Sequence, residues 1–251
     1  MTTSSPDPAI AGAVPLADPV AEARRVIDAA REQGVTLRAL GGVAVYLLSP
    51  DSQPILPRPL KDIDLVTSRG QGSAAGRVLA QLDYVGEEMF NALRGSRRQL
   101  FHDPVNQREL DVFVGEFTMC HAVPIAERLD RLPYTVPVAE LLLTKLQIVE
   151  LNERDERDIY TLCYHHELAD DPLIAGLCAD DWGLWRTCKG TIERCLADVD
   201  RYELDAPARE RIASRLSELS ERIESEPKSS RWRRRSRLGE RKRWYQEPEE
   251  D

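Results

Sequence analysis

The sequence predicts an α+β protein, in which a first part with strands and helices is followed by a helical C-terminal region. Three observations support this prediction. Short runs rich in β-branched and aromatic residues, such as "KDIDLVT" and "RELDVFVG", recur before residue 120 and are typical of strands. The turn formers of "DPVN" separate "RRQLFH" from "RELDVFVG", which predicts a β-hairpin. From Val138 onward, apolar residues recur at three- and four-residue spacing, which indicates helices.

The elements before the hairpin are predicted in chain order. "PVAEARRVIDAAREQGV" has apolar residues at a helical period, and Gly34 stands where the C-terminal cap of that helix is expected. "TLRAL" is predicted as a short strand, and Gly41 and Gly42 open a helix in "GGVAVYLL". Four prolines between residues 49 and 60 indicate a loop. "KDIDLVT" follows as a strand, and a glycine-rich loop then leads into a helix that begins near Ser73.

Composition divides the chain into four regions. Residues 1–18 contain three prolines, with a fourth at position 19, and have no basic start, so we expect a disordered leader and not a signal peptide. Residues 19–120 are predicted as a domain of strands and helices, residues 121–225 as a helical region that completes it, and residues 226–251 as a basic tail. No apolar run reaches the roughly 18 residues that span a bilayer, so we expect a cytoplasmic protein without membrane contact. The five cysteines form no C-x-x-C pair and are expected to be reduced.

The tail carries a charge opposite to that of the whole chain. The formal net charge is −9, yet "KSSRWRRRSRLGERKRWY", residues 228–245, has nine basic residues and one acid. Its aromatic residues Trp232, Trp244 and Tyr245 could stack on bases while the basic residues neutralise phosphates. The alternative is a tail that lies on the acidic body of the same protein. Nucleic acid is therefore one candidate partner, and another protein is a second.

Three acids interrupt segments that otherwise have the character of buried strands. Asp62 and Asp64 alternate with Ile63 in "KDIDLV", so that in a strand their side chains share one face, and Asp111 lies inside the apolar "LDVFV". Two like charges side by side repel each other and favour a cation between them. Carboxylates together with substrate phosphates are ligands that Mg²⁺ prefers, and pairs of such ions serve nucleotidyl transfer. The alternative is an edge strand whose acids face water.

The pair Gly41 and Gly42 adds a second feature of nucleotide chemistry. Without a Cβ in the way, backbone N–H groups at the start of a helix can approach a triphosphate closely. Each motif alone is weak. Their joint order, with Gly-Gly at a helix start, then the two acids and then the third, is what favours a nucleotide site.

In this order, "GGVAVYLL" and "KDIDLV" resemble the nucleotidyltransferase superfamily with the DNA polymerase beta-like fold. Its signature is Gly-Gly or Gly-Ser at a helix start, then Asp-x-Asp or Asp-x-Glu on a strand, and then a third Asp. The versions here look like those of small antibiotic nucleotidyltransferases, in which an Arg and a Lys often precede the acids, as Arg58 and Lys61 do. The resemblance implies a mixed sheet with flanking helices. It also implies two Mg²⁺ ions on Asp62, Asp64 and Asp111, and nucleotide binding by Gly41, Gly42 and Lys61.

The helical segment "PVAELLLTKLQIVELNERDERDIYTL" is similar to that of AbiEii-type toxin nucleotidyltransferases, in which a Lys on a helix precedes a charged turn and an Arg-Asp pair. By that resemblance, Lys145 and Asp158 are candidate nucleotide-binding residues. Lys145 interrupts an apolar helix, and a lysine is seldom buried without a partner. The alternatives are a Lys145 side chain that extends to solvent from a partly buried face and an Asp158 engaged in surface ion pairs with Arg154 or Arg157.

The resemblance covers roughly residues 36–165 and implies an enzyme that transfers a nucleoside monophosphate from an NTP, such as ATP, to an acceptor. The acceptor is open between a small molecule, a tRNA and a protein. Two positions depart from the family pattern, since Gly42 stands where many active members have Ser and Thr161 where toxin-type members commonly place another Asp. One alternative is a catalytically inactive member that binds a nucleotide or a partner. Another is an interaction protein whose acids face solvent.

Overall fold

The computed structural model describes residues 14–168 and 171–247. They form an α+β structure with a mixed five-stranded sheet and a helical C-terminal region, as predicted. The chain divides into two compact units. The first unit comprises the described chain up to Ser52, Pro59–Phe117 and Pro124–Pro137, and the second comprises Gln53–Arg58, Thr118–Val123 and the described chain from Val138 onward. Most of the predicted leader, residues 1–13, lies outside the described residues.

The first unit is built around the sheet. Its strands are β1 (Arg38–Leu40), β2 (Ile63–Thr67), β3 (Val85–Gly86), β4 (Arg98–Asp103) and β5 (Arg108–Val114). Its helices are α1 (Pro19–Glu32), α2 (Gly41–Leu48), α3 (Gly72–Gln81) and α4 (Glu88–Arg94). Two further short strands, β6 (Phe117–Thr118) and β7 (Ala122–Val123), form a separate two-stranded sheet, and β7 belongs to the second unit.

The strand order of the large sheet is β1-β2-β5-β4-β3. The pair β2 and β5 is parallel and the other pairs are antiparallel, which makes the sheet mixed. Ile63 and Leu65 of β2 are fully buried in the core. Because β2 has a neighbour on each side, the alternative that placed the acids on an edge strand is wrong.

The strand β2 is shorter than the predicted "KDIDLVT", because it begins at Ile63. Its pairing with β1 ends where Leu40 faces Asp64, and from Gly41 the chain turns into α2. The ladder with β1 therefore stops short of Asp62, which precedes the strand and is exposed. The prediction that Asp62 lies inside this strand beside Asp64 is wrong.

Local sequence signals account for the first helix and for the hairpin. The side chain of Asp18 caps α1 by accepting a hydrogen bond from the backbone N–H of Ala21, and Gly34 follows the helix with φ +71°, as the cap prediction required. In the hairpin of β4 and β5, the Asp103 carboxylate accepts hydrogen bonds from the backbone N–H groups of Val105 and Asn106. The predicted hairpin is thereby confirmed.

The second unit contains the C-terminal helices. They are α5 (Val138–Leu146), α6 (Glu153–His165), α7 (Pro172–Asp180), α8 (Trp182–Asp198), α9 (Ala206–Ser225) and α10 (Ser230–Ser236). Side chains of Asn152, Asp171, Asp181 and Asp205 cap four of them. Helices α6, α7 and α8 all pack against α9. The five cysteines are buried free thiols, and no helix within the described residues has the length and apolar character needed to cross a bilayer.

The basic tail folds back on its own unit, since α10 packs against α7 and α8. The backbone N–H of Ser229 donates to the Ala179 carbonyl at 2.9 Å, and that of Gln246 donates to the Cys120 carbonyl at 2.9 Å. Of the two expectations for the tail, its docking on the same protein is confirmed. Binding of nucleic acid stays a prediction.

Candidate functional site

The carboxylate of Asp64 lies against the start of α2. Leu40 of β1 pairs with Asp64, and the next residue, Gly41, is the first of α2 and has φ +58°. A Cβ atom on Gly41 would lie 2.0 Å from Oδ2 of Asp64. Both the left-handed backbone and the close approach therefore require glycine at position 41. The first turn of a helix offers unpaired N–H groups and a partial positive charge, which suit a carboxylate.

Asp64 and Asp111 face each other across the parallel strands β2 and β5, where they are paired in register. Residues paired in this way have side chains on the same face of the sheet, on strands about 4.8 Å apart. As predicted, the strand of Asp111 is the neighbour of the strand of Asp64. The fold thus brings together Gly41, Asp64 and Asp111, although Gly41 and Asp111 lie 70 residues apart in the sequence.

Arg98, on β4, holds the carboxylate of Asp111. Its Nε donates to Oδ1 at 2.7 Å and its second guanidinium nitrogen donates to Oδ2 at 3.1 Å. The Asp111 side chain is 9% exposed, so this two-point contact compensates a charge that is nearly out of water. The guanidinium carbon also lies 5.6 Å from the ring centres of Phe90 and Phe113, within cation–π range.

The sequence interpretation missed Arg98. In the hairpin register, Leu100 faces Asp111, and Arg98 precedes Leu100 by two residues, so it lies on the same face of β4. A basic residue two positions before the one that faces an acid across the hairpin was therefore the available signal.

The remaining predicted residues of the first unit lie close to these positions in the chain. Gly42 is the second residue of α2 and is buried, whereas Lys61 and Asp62 directly precede β2 and are exposed. Their roles in nucleotide and metal binding stay predictions.

The donor types near β2 suit Mg²⁺, because Asp64 and Asp111 offer carboxylate oxygens from paired positions. The positions of these donors, however, do not form a complete Mg²⁺ site. Both Asp111 oxygens are engaged by Arg98, and within residues 14–168 and 171–247 no three His, Cys, Asp or Glu side chains are gathered as a metal site. Mg²⁺ would fit the chemistry of these donors, and its binding would require Arg98 to share or release Asp111.

A second cluster of charged side chains lies in the second unit and contains Lys145 and Asp158. The ammonium of Lys145, on α5, lies 2.9 Å from Oδ1 of Asp155 and 3.1 Å from Oδ2 of Asp158, both on α6. Arg58 contacts both Asp158 oxygens at 2.8 Å. The Asp158 side chain is 2% exposed and those of Arg58 and Lys145 are 12% exposed. Two cations and two carboxylates thus balance each other in a buried position.

Charge pairing outweighs burial in the titration of this cluster. Burial disfavours the charged form of Lys145, yet the charges of Asp158 and Asp155 and a hydrogen bond to Asp155 raise its pKa above the usual value. For Asp158, burial again opposes ionisation, and Lys145 and Arg58 together lower the pKa below its usual range. Both groups are therefore ionised at neutral pH.

Two alternatives from the sequence can now be decided. Lys145 does not extend alone to solvent, because two acids bind its ammonium. Asp158 does not form a surface ion pair, because it is buried with Arg58 and Lys145, and Arg157 instead contacts Glu153. The roles of Lys145 and Asp158 in binding a nucleotide stay predictions.

Sequence comparisons bring no further identification of the chain, because neither a family model nor a curated protein matches it. The resemblance to nucleotidyltransferases therefore depends on the motifs. The arrangement of Gly41, Asp64 and Asp111 is the structural observation that bears on it.

Proposed function

We propose that this protein is a Mg²⁺-dependent nucleotidyltransferase that transfers a nucleoside monophosphate from an NTP to an acceptor hydroxyl or phosphate and releases pyrophosphate. One observation carries the proposal. Asp64 faces Asp111 across parallel strands and at the same time lies against Gly41 at the start of α2. An acid pair next to a helix start that accepts only glycine supports a function in which carboxylates and backbone N–H groups act on one phosphate chain.

Each residue has a role in this proposal. The backbone at Gly41 and Gly42 would receive the triphosphate, since no side chain keeps phosphate oxygens away from the N–H groups. Asp62, Asp64 and Asp111 would hold the metal. Bound Mg²⁺ would neutralise phosphate charge and stabilise the leaving pyrophosphate. Asp111 would also accept the proton of the acceptor hydroxyl, while Arg98 positions its carboxylate.

The cluster around Lys145 has a supporting role in the proposal. An ammonium has three N–H donors, and two of them are directed at Asp155 and Asp158. In this proposal the third donates to a phosphate oxygen, and the two acids keep the ammonium charged in a buried position. Lys145 is thus chemically suited to bind a nucleotide phosphate as a point charge.

A second candidate function is a protein of the same fold that binds a nucleotide or a partner without turnover. The contact between Arg98 and Asp111 favours this second function. A guanidinium that binds both carboxylate oxygens occupies the position that a metal ion would take. In this case the charge at Asp111 is already compensated without metal, and the site would hold a nucleotide but not activate it.

Transfer of a labelled nucleotide separates the two candidates. The full chain is incubated with each of the four NTPs, labelled on the α-phosphate, with Mg²⁺ and fractions of a cell extract. We expect one fraction to take the label. Asp64→Asn and Asp111→Asn should reduce the transfer by more than about 100-fold, since each removes a charge that acts in the transition state.

Asp83→Asn is the matched control. Asp83 is exposed and has φ +66°, a conformation that asparagine tolerates, so this variant should keep full transfer. Wild-type transfer rates in Asp64→Asn would overturn the proposal. An NTP-dependent rise of the melting temperature without labelled product would instead establish the binding function.

A further inference from the structure

The basic residues of the tail separate into two sets with different surroundings. One set has partners within the protein: Arg231 contacts Asp180 at 3.1 Å, Arg235 donates to the Gly239 carbonyl at 2.8 Å, and Arg243 contacts Glu247. The other set, here called the outer basic face, is exposed and has no acidic partner within the described chain. It consists of Arg233, Arg234, Arg237, Arg241 and Lys242.

A cluster of aromatic rings holds the outer basic face in place. Trp232 on α10 packs edge-on against Trp185 at 5.2 Å, and Trp244 packs edge-on against Trp182 at 6.1 Å. Trp244 also donates its indole N–H to Oγ1 of Thr187 at 3.2 Å. These four rings are all the tryptophans of the chain. The segment is therefore a docked part of its unit, and its outward side chains start from a fixed backbone.

No acidic side chain within residues 14–168 and 171–247 is paired with a charge of the outer basic face. Arg233 and Arg237 are separated by four residues and Arg234 and Arg237 by three, which places like charges about 5–6 Å apart at Cβ on a helical segment. Such pairs destabilise a helix. The chain outside the tail is strongly acidic, so the net charge of the body would repel a long polyanion, whereas this face would attract it.

We propose that the outer basic face binds the phosphate backbone of a nucleic acid, independently of base identity. Four of its five residues are arginines, whose planar guanidinium groups pair with phosphate oxygens at two points. Two of the aromatic residues expected to stack on bases are engaged within the protein, because Trp232 and Trp244 pack against Trp185 and Trp182 and are partly buried. Backbone contacts thus remain as the means of recognition. The same inward packing opposes a membrane role, since the tryptophans that would enter a lipid interface are occupied.

Salt dependence of RNA binding measures the number of phosphate contacts. The full chain is titrated into a fluorescently labelled single-stranded RNA of mixed sequence, and anisotropy is recorded at 50 and 200 mM NaCl. Five contacts predict a log–log slope of about −3.5, or about 130-fold weaker binding at the higher salt concentration. A second RNA of different sequence should bind with the same affinity.

Two triple variants with the same change in net charge test where the RNA binds. Arg233→Gln, Arg234→Gln and Arg237→Gln together remove three contacts, so the slope should fall to about −1.4 and the salt effect to about sevenfold. The control exchanges exposed arginines elsewhere, with Arg77→Gln, Arg154→Gln and Arg201→Gln. It should keep the wild-type slope. An equal loss in both variants would show that only net charge matters and would overturn the proposal.

Two further measurements bear on the identity of the partner. Vesicles with anionic lipids and poly-glutamate are titrated under the same conditions, and tighter binding of either than of RNA would overturn the assignment to nucleic acid. The proposal does not depend on nucleotide transfer. Asp64→Asn, which should abolish transfer, should bind RNA as wild type does, so that failure of one proposal leaves the other testable.

Discussion

Replacement of Gly41 with alanine tests the contact on which the candidate site depends. At this position an added methyl group meets two obstacles. The backbone has φ +58°, and the Cβ atom would lie 2.0 Å from Oδ2 of Asp64. Gly34 offers a matched control, since it has φ +71° and no heavy atom within 4 Å of its Cβ position. Gly34→Ala thus introduces the same backbone strain without the collision.

The expected losses of stability follow from the backbone strain and from the collision with Asp64. A left-handed alanine costs about 1 kcal/mol relative to glycine, which applies to both variants. In Gly41→Ala, the contact with Asp64 must lengthen by about 1.4 Å to reach an ordinary 3.4 Å, and strain of this kind in a packed site adds about 1–3 kcal/mol. We therefore expect melting temperatures lower by about 3 °C for Gly34→Ala and by about 9 °C for Gly41→Ala.

A double-mutant cycle with Asp64→Ala isolates the collision. Removal of the carboxylate leaves only an ordinary contact with the Asp64 Cβ, at 3.4 Å, so Gly41→Ala should cost about 1 kcal/mol in that background, as Gly34→Ala does in the wild type. Differential scanning calorimetry of the four proteins of the cycle gives the coupling term. Equal melting temperatures for Gly41→Ala and Gly34→Ala would refute the reasoning. An undiminished effect of Gly41→Ala beside Asp64→Ala would refute it as well.

Three further results are expected. Lys145→Met should lower the free energy of unfolding by about 2–3 kcal/mol, because it leaves a buried Asp155 without its cation, and chemical denaturation should show partial recovery with Asp155→Asn. Because the pKa of Asp158 is lowered, its ionised form contributes stability above its unfolded pKa of about 3.9, and this contribution is lost as pH falls through the lower folded pKa. The gap between wild type and Lys145→Met should therefore shrink below about pH 4, and a constant gap between pH 7 and pH 3 would contradict the ion-pair account. Trp232→Ala should cost about 2 kcal/mol at low and at high salt alike, because ring packing anchors the tail, whereas a loss confined to low salt would indicate that charge attraction holds it.

Short-range signals were sufficient for most of the first unit. The cap at Asp18, the glycine at position 34 and the turn "DPVN" act within a few residues, and each led to the element found there. Helices without a buried face escaped prediction. α4 and α10 have no buried residues. In α4, Met89 and Leu93 are at helical spacing but exposed, and the arginine-rich α10 shows no apolar stripe.

The sequence predicted part of the candidate site and missed the part that depends on contacts between distant segments. The spacing of Gly41, Asp64 and Asp111 pointed to a common site, and strand pairing confirms that Asp64 and Asp111 are neighbours in the sheet. The strand position of Asp62 was wrong, because β2 begins at Ile63, where its pairing with Leu110 of β5 begins. That limit is set by another segment of the chain and leaves no trace in "KDIDLV" itself.

The sequence alone determined the α+β class, the first helix, the hairpin and the helical character of the C-terminal half, and the acids and glycines on which a nucleotide site would depend. The tertiary structure alone decided which charges meet. It gave Asp111 its partner Arg98, and it gave Asp158 its partner Arg58, 100 residues away. It also gave one set of tail arginines partners within the protein and left another set without an acidic partner in the described chain. Helix caps, turns and periodic burial arise from backbone bonds and contacts within a few residues, whereas an ion pair forms between whichever side chains the packing of distant elements brings within about 4 Å.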